Sequence, residues 1–253
     1  MSVEDRYRIE RAKWDALASK ELPGVSVLPP TATFYTYARK VSVMAGVNEF
    51  LGDLQGKQVL ECGCGLGEIS ILLAKSGAYV TAFDLSPVSV AVARRRAVMN
   101  IADTKINLAV AAGESMPFAD ERFDVIFGKG ILHHLDANLG CNDLCRVLKS
   151  GGKAVFVEPM GMNPILNFVR AYIPYRHKHP RGADRPLKYD DIHRWGKPFK
   201  EFRYQEIQLL SMFERGFGFN KRFTILRRAD AVLLKRLPFL RRYCRYVVMF
   251  MVK

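Results

Sequence analysis

Two adjacent histidines, His133 and His134, follow an apolar run that ends near residue 127, and Glu158 closes a second run, Lys153 to Val157. An imidazole titrates near neutral pH, so a histidine placed there can take a proton from an acceptor hydroxyl. A carboxylate at the neighbouring strand end can orient it. Upstream lies Val59-Leu60-Glu61-Cys62-Gly63-Cys64-Gly65-Leu66-Gly67. Glycines where a strand turns into a helix let the backbone approach a ligand closely. A dinucleotide fingerprint wants its third glycine at position 68, but Glu68 stands there, and a carboxylate beside a pyrophosphate is unfavourable. The spacing therefore suits a ligand without phosphates. Asp84 ends the next strand candidate 21 residues after Gly63, where an acid can accept hydrogen bonds from both hydroxyls of a ribose. Glycine loop plus ribose acid points to a nucleoside cofactor.

These residues need strands to carry them. Short apolar runs at 58–62, 78–83, 106–110, 123–127 and 153–157 alternate with helical patterns at about 69–76, 87–100 and 138–148. Such βαβ alternation predicts a parallel, doubly wound sheet. Two further strands are expected at 204–212 and 244–252, with a basic helix over about 223–236 between them. The fold class is thus α/β, a Rossmann-like doubly wound seven-stranded sheet, mostly parallel with an antiparallel last strand, plus a helical cap. Residues 1–253 form one domain in this reading. N-terminal helices occupy 1–50 (an amphipathic one over 4–20 carrying Ile9, Ala12, Trp14 and Leu17, another over about 33–50), the cofactor-binding core 51–158, a substrate cap 159–203, and the C-terminal strands and basic helix 204–253.

Composition bounds the rest. Hydrophobic residues make up 49% of 253, enough for a substantial core. The opening residues lack the basic-then-apolar pattern of a signal peptide, and no apolar run nears the length of a membrane span, so a cytoplasmic protein is expected. Five cysteines in a chain of this length do not resemble a disulfide framework. The net charge of +14 is carried by the second part: residues 1–150 hold 17 basic and 17 acidic side chains, residues 151–253 hold 22 and 8. From Arg215 onward there are eleven Lys or Arg and one acid, Asp230. That asymmetry suits an anionic partner, whether nucleic acid, a membrane surface or a phosphorylated substrate, or simply a solvated surface.

Several segments carry a family resemblance. Glu61-x-Gly-x-Gly-x-Gly67, Asp84, Glu114-Ser115-Met116-Pro117-Phe118, Phe123-Asp124-Val125-Ile126, Ile131-Leu132-His133-His134-Leu135 and Arg146-Val147-Leu148-Lys149-Ser150-Gly151-Gly152 together resemble class I S-adenosylmethionine-dependent methyltransferases over about residues 56–158. Within that family the chain is most similar to the small-molecule group that includes quinone-pathway and sugar O-methyltransferases. The resemblance implies S-adenosyl-L-methionine as cofactor and S-adenosyl-L-homocysteine as product. It also implies that Gly63, Cys64 and Gly65 pack against the cofactor's amino acid portion, and that Glu61 orients the loop and the ammonium. Asp84 would hold the ribose, Leu85 lie against adenine, Gly113 and Glu114 border its edge, and the backbone around Lys129 meet the methionine moiety. Ala112 stands where many relatives have an acid for the adenine amino group.

On the reacting side the expectation is His134 as base, with His133 and Glu158 supporting. The pair does not read as a metal site, since adjacent side chains seldom converge on one ion and no third ligand is evident. Gly128-Lys129-Gly130-Ile131 replaces the Asn/Asp-Pro-Pro-aromatic motif of base-directed amino-methyltransferases, so nucleic acid loses ground as a substrate. Tyr35, Tyr37, Arg170, Tyr172 and Arg176 are the candidate acceptor-binding residues, while Phe168 and Trp195 are expected in the cap core. The function expected is methyl transfer to a small or lipid-linked, amphiphilic acceptor, at oxygen, with the basic C-terminal region resting peripherally on the inner face of an anionic membrane. An RNA methyltransferase and a non-catalytic cofactor-binding subunit are the alternatives.

Overall fold

The structure is a computed structural model that describes residues 3–21, 24, 26–173, 185–215 and 224–253. Its seven strands are β1 (Gln58–Cys62), β2 (Tyr79–Asp84), β3 (Ile106–Val110), β4 (Phe123–Lys129), β5 (Leu148–Pro159), β6 (Glu201–Ile207) and β7 (Tyr246–Val252). They form one sheet in the order β3-β2-β1-β4-β5-β7-β6. The first five are parallel, and β7 runs antiparallel to both β5 and β6. Strand order reverses between β1 and β4, and in such sheets the crevice at that switch point, outside the carboxyl ends of the strands, is where ligands bind.

The helices are α1 (Val3–Glu21), α2 (Phe34–Lys40), α3 (Val47–Leu51), α4 (Glu68–Lys75), α5 (Pro87–Met99), α6 (Ala137–Val147), α7 (Pro164–Tyr172), α8 (Tyr189–Gly196) and α9 (Thr224–Arg236). They cover both faces of the sheet, which is why its central strands are apolar on successive residues rather than alternating. Val59 and Phe127 point into one core with Phe34 of α2 and Leu72 and Leu73 of α4, and the Phe34 and Phe127 rings meet edge to face at 5.1 Å. Leu60 and Ile126 point into the other core, with Leu144 of α6 and Trp195 of α8. Helix α5 starts where Ser86 accepts a hydrogen bond from Ser89 N, with Pro87 at its first position, as the sequence predicts.

Several boundaries differ from the expectations. The helix foreseen over 33–50 is divided into α2, a 3-10 turn at Ser42–Met44 and α3, because Gly46 takes a left-handed conformation (φ 76°) between them. The sixth strand ends at Ile207 instead of reaching 212. Gln208 has φ 64°, and the three amides after it turn to one buried carboxylate: Leu209 N, Leu210 N and Ser211 N donate to Asp230 at 3.1, 2.7 and 3.1 Å, and the Ser211 hydroxyl at 2.6 Å. Replacing Asp230 by alanine strands those donors, so unfolding free energy falls by about 3 kcal/mol and Tm by roughly 6–10 °C. An unchanged thermal melt would contradict this. Trp195 is buried in the cap core, whereas Phe168 is 59% exposed on α7 and is not core.

Candidate functional site

A cavity of about 520 Å³ opens at the carboxyl ends of β1, β2 and β4. Its floor is the glycine loop. A Cβ on Gly67 (φ 77°) would lie 2.7 Å from Ala93 Cβ, so only glycine lets α4 pack on α5 there. A Cβ on Gly65 would meet nothing within 4 Å. That peptide faces open cavity and can be covered by a ligand.

Two acids line this floor, Glu61 buried and Asp84 half-buried. Asp84 at the end of β2 accepts from Gly65 N through Oδ2 and from Ser86 N through Oδ1, both at 2.9 Å. Burial raises its pKa above the ordinary aspartate range, against the pull of those amides. Glu61 is 3% exposed and accepts a hydrogen bond from the Ser70 hydroxyl. Burial pushes its pKa up to about 8, with Ser70 opposing and Asp84 adding repulsion. A pocket floored by two desolvated carboxyls favours a cationic ligand, because a positive charge restores what burial removed. Cys64 and Leu85 also line the cavity, and burial pushes the Cys64 thiol well above its usual range. All five cysteines are free.

The far wall is Ala111 to Glu114 together with Lys129. No acid stands at 112, and the Glu114 carboxylate is engaged by Arg6, by the Tyr7 hydroxyl at 2.7 Å and by Asp136 N at 3.1 Å. Lys129 Nζ donates to the Tyr37 hydroxyl at 2.8 Å, which brings Tyr37 to the rim.

Of the three residues expected to act together, the structure joins Glu158 to His133 and turns His134 toward α1. Glu158 is fully buried at the end of β5. Its Oε1 accepts from Ile131 N (2.8 Å) and Leu132 N (2.9 Å), and its Oε2 lies 2.7 Å from His133 Nδ1. It pins the 3-10 turn Leu132–His134 to the sheet, and His133 faces a second, polar cavity of about 320 Å³. His134 lines both cavities, and its Nδ1 lies 3.2 Å from Glu10 Oε1 of α1, not against Glu158.

The acceptor-binding expectations fare unevenly. Tyr35 does not line the cavity: its hydroxyl accepts from Leu54 N at 2.7 Å and donates to Asp53, which ties α2 to the loop before β1. Arg170 donates to Met160 O at 3.0 Å, and Tyr172 is 66% exposed with its ring against Phe168. Neither lines the cavity. Arg176 lies outside the described residues.

Sequence reasoning missed the roof. Arg6, Tyr7, Glu10 and Trp14 of α1 all line the cavity, as does Arg96 of α5, which donates to Leu66 O at 3.1 Å. The expected apolar face of α1 is not what packs; Ile9 is 37% exposed, and the buried residues are Glu10 and Ala18. The missed signal is Arg6-Glu10-Trp14, three residues four apart on one face.

Residues 60–156 match the protein family described as a methyltransferase domain. The chain is 34% identical over 142 residues to a demethylmenaquinone methyltransferase of Chlorobaculum parvum, covering 55% of each protein. It is 31% identical over 108 residues to the ubiquinone/menaquinone biosynthesis C-methyltransferase UbiE of Geobacter sulfurreducens, covering 41% of this chain and 42% of that one. The chain thus spans about half the length of the curated relatives it matches. Among solved structures it is similar to the [4+2]-cyclase SpnF (TM-score 0.63, 16% identity, 97% of this chain and 95% of that one). It is also similar to geranyl diphosphate C-methyltransferase from Streptomyces coelicolor A3(2) in complex with Mg2+, geranyl diphosphate and S-adenosyl-L-homocysteine (TM-score 0.61, 14% identity, 86% and 80%). The fold is that of the class I S-adenosylmethionine-dependent methyltransferases.

Proposed function

We propose, for a chain that carries a methyltransferase domain at residues 60–156 on the class I fold, that it moves a methyl group from S-adenosyl-L-methionine to the hydroxyl of a small or lipid-linked acceptor. One observation carries the reading: at the sheet's switch point, an open glycine peptide, the buried Glu61 and the half-buried Asp84 share a cavity with a histidine. The residues present fit that cofactor, whose ammonium and sulfonium are the positive charges such a floor calls for. Gly63, Cys64 and Gly65 would cradle its amino acid portion, Glu61 meet the ammonium and Asp84 the ribose hydroxyls. Leu85, Gly113 and Glu114 would frame the adenine, and the Lys129 backbone would meet the methionine moiety. When bound, it supplies an electrophilic methyl group.

The chain's own contribution is then orientation and proton removal. His134 takes the hydroxyl proton of the acceptor. Glu158 keeps the turn that carries it fixed, and α1 excludes water from above. Tyr37, joined to Lys129, stands on the rim where an acceptor would enter. Incubation with labelled cofactor and a panel of phenols, sugars and lipid-linked anions tests the reading, which expects label on at least one hydroxyl compound. A label-free panel in the presence of bound cofactor would count against it.

Transfer to carbon is the second reading, favoured by relatives that bear the name C-methyltransferase. A deprotonated phenol is nucleophilic at the ring carbon beside the oxygen as well, so the same base serves both. NMR of the product distinguishes an O-methyl from a C-methyl.

The C-terminal surface suggests where the enzyme works. Within 224–253 the only acid is Asp230, and it is turned inward, while Ile225 and Phe239 are 70% and 63% exposed among arginines and lysines. Basic side chains interleaved with protruding apolar ones suit an anionic bilayer, where an amphiphilic acceptor would reside. No described helix is long and apolar enough to cross a membrane. The protein is expected to sediment with phosphatidylserine-containing vesicles at low salt and to be released by replacing Arg241 and Arg242 with glutamate. Vesicles that fail to retain it, with steeply salt-dependent binding to RNA instead, would favour a nucleic-acid partner.

A further inference from the structure

We propose that Glu10 of α1 is the positioning residue for His134, so that the proton-accepting imidazole is assembled only when α1 lies across the cavity; this rests on the methyl-transfer reading above. Glu158, the partner suggested by chain position, has both oxygens committed elsewhere, to two backbone amides and to His133. His134 instead presents Nδ1 to Glu10 Oε1 at 3.2 Å, with the two side chains only 9% and 6% exposed. The other Glu10 oxygen accepts from Trp14 Nε1 at 3.0 Å, and the Trp14 ring stands edge-on to the imidazole at 6.2 Å. The carboxylate is thus fixed by Trp14 on one side and stands at ion-pair distance from Nδ1 on the other. A carboxylate at Nδ1 holds the proton there, leaves the Nε2 lone pair to receive a proton, and stabilises the imidazolium that results.

The carrier of Glu10 gives this pairing its conditional character. Helix α1 is held over the cavity chiefly by polar contacts: Arg6 and Tyr7 on Glu114, and Asp15 accepting from the Ser86 hydroxyl. Little apolar surface is buried beneath it, since of its residues only Glu10 and Ala18 are buried. Polar clamps of this kind can part and re-form as a unit, as lids do. The charged and titratable groups around His134 are Glu10 and Arg6 from α1, His133 from its own turn and Asp84 from β2. Of these, Glu10 is the one set against Nδ1.

The test compares the full-length protein with Glu10→Gln, which preserves shape and can still accept from Trp14, and with Trp14→Phe, which frees the carboxylate to rotate. NMR of 15N-labelled histidine reads His134 without any acceptor. The expected result in Glu10→Gln is a loss of the Nδ1-protonated preference of His134, with a smaller loss in Trp14→Phe. Turnover is expected to fall roughly 10- to 100-fold with cofactor affinity and acceptor KM little altered. Glu10→Asp should recover part of both.

An unchanged His134 tautomer in Glu10→Gln would overturn the proposal even if no acceptor had been found. So would a loss of cofactor binding with turnover otherwise intact, which would place Glu10 in the cofactor's own site. A wild-type protein whose His134 tautomer depends on Glu10 but which methylates nothing would instead sink the methyl-transfer reading and leave the pairing standing.

Discussion

Replacing His134 with alanine lowers turnover by about 10²- to 10⁴-fold while leaving S-adenosylmethionine affinity nearly unchanged. The separation follows from how the turn is held. Glu158 grips Ile131 N, Leu132 N and His133, so the backbone that borders the cavity does not depend on the His134 ring. Removing the imidazole takes away a proton acceptor, not a scaffold. Replacing Glu158 with alanine should do the reverse, loosening the whole turn and costing both stability and cofactor binding. A His134→Ala enzyme with full turnover would remove the base from this account.

Replacing Glu61 with glutamine is expected to stabilise the protein and weaken cofactor binding at once. In the unfolded chain this carboxyl ionises near 4.5, whereas burial in the fold pushes it up to about 8. The folded state therefore keeps a proton that the unfolded chain has already lost between those values. Stability accordingly declines as pH rises from about 4.5 to about 8 and levels off above. At pH 7 the cost is about 3 kcal/mol, present because the site is built for a ligand's charge and not for the fold alone. Glutamine keeps a partner for Ser70 and removes the titration. Tm should thus rise at pH 7 to 8.5 and barely move at pH 5, while affinity for a cofactor with an ammonium group drops roughly 10- to 100-fold. A lower Tm at pH 8.5, or undiminished cofactor affinity, would refute the role.

The parts of this molecule that were legible in the sequence are those governed by short-range rules. Apolar runs of five or six residues separated by helical periods define β1 to β5, and the glycines at 63, 65 and 67 define the loop because its left-handed backbone favours glycine at all three. What was not legible is set by polar partners far apart in the chain. The end of β6 is decided by Asp230, more than twenty residues downstream, which no local pattern reveals. Tyr35 and Tyr37 are indistinguishable as aromatic residues of one helix, yet a turn of 100° per residue sends Tyr35 to Leu54 N and Tyr37 to Lys129.

The roof of the site shows the same limit most clearly. Residues 4–20 read as an amphipathic helix with Ile9, Ala12, Trp14 and Leu17 among many charges, and α1 has that composition. Its face toward the cavity is nonetheless the charged one, since Arg6 and Tyr7 find Glu114 and Asp15 finds Ser86 across more than seventy residues of chain. Hydrophobic periodicity reports what a helix hides from water for want of polarity, not what it hides because its charges are paired. Which imidazole Glu158 orients was open in the sequence for a related reason: strand adjacency puts the carboxylate near both histidines, but only the turn's geometry decides which ring reaches it.

The central claim is that the cavity over the glycine loop holds S-adenosylmethionine, and calorimetric titration of the purified protein tests it most directly. S-adenosylmethionine and S-adenosylhomocysteine should each bind at one site with micromolar affinity, and NAD, whose pyrophosphate would face Glu68, should give no heat. Binding of NAD, or silence from both sulfur compounds with the protein folded, would contradict it.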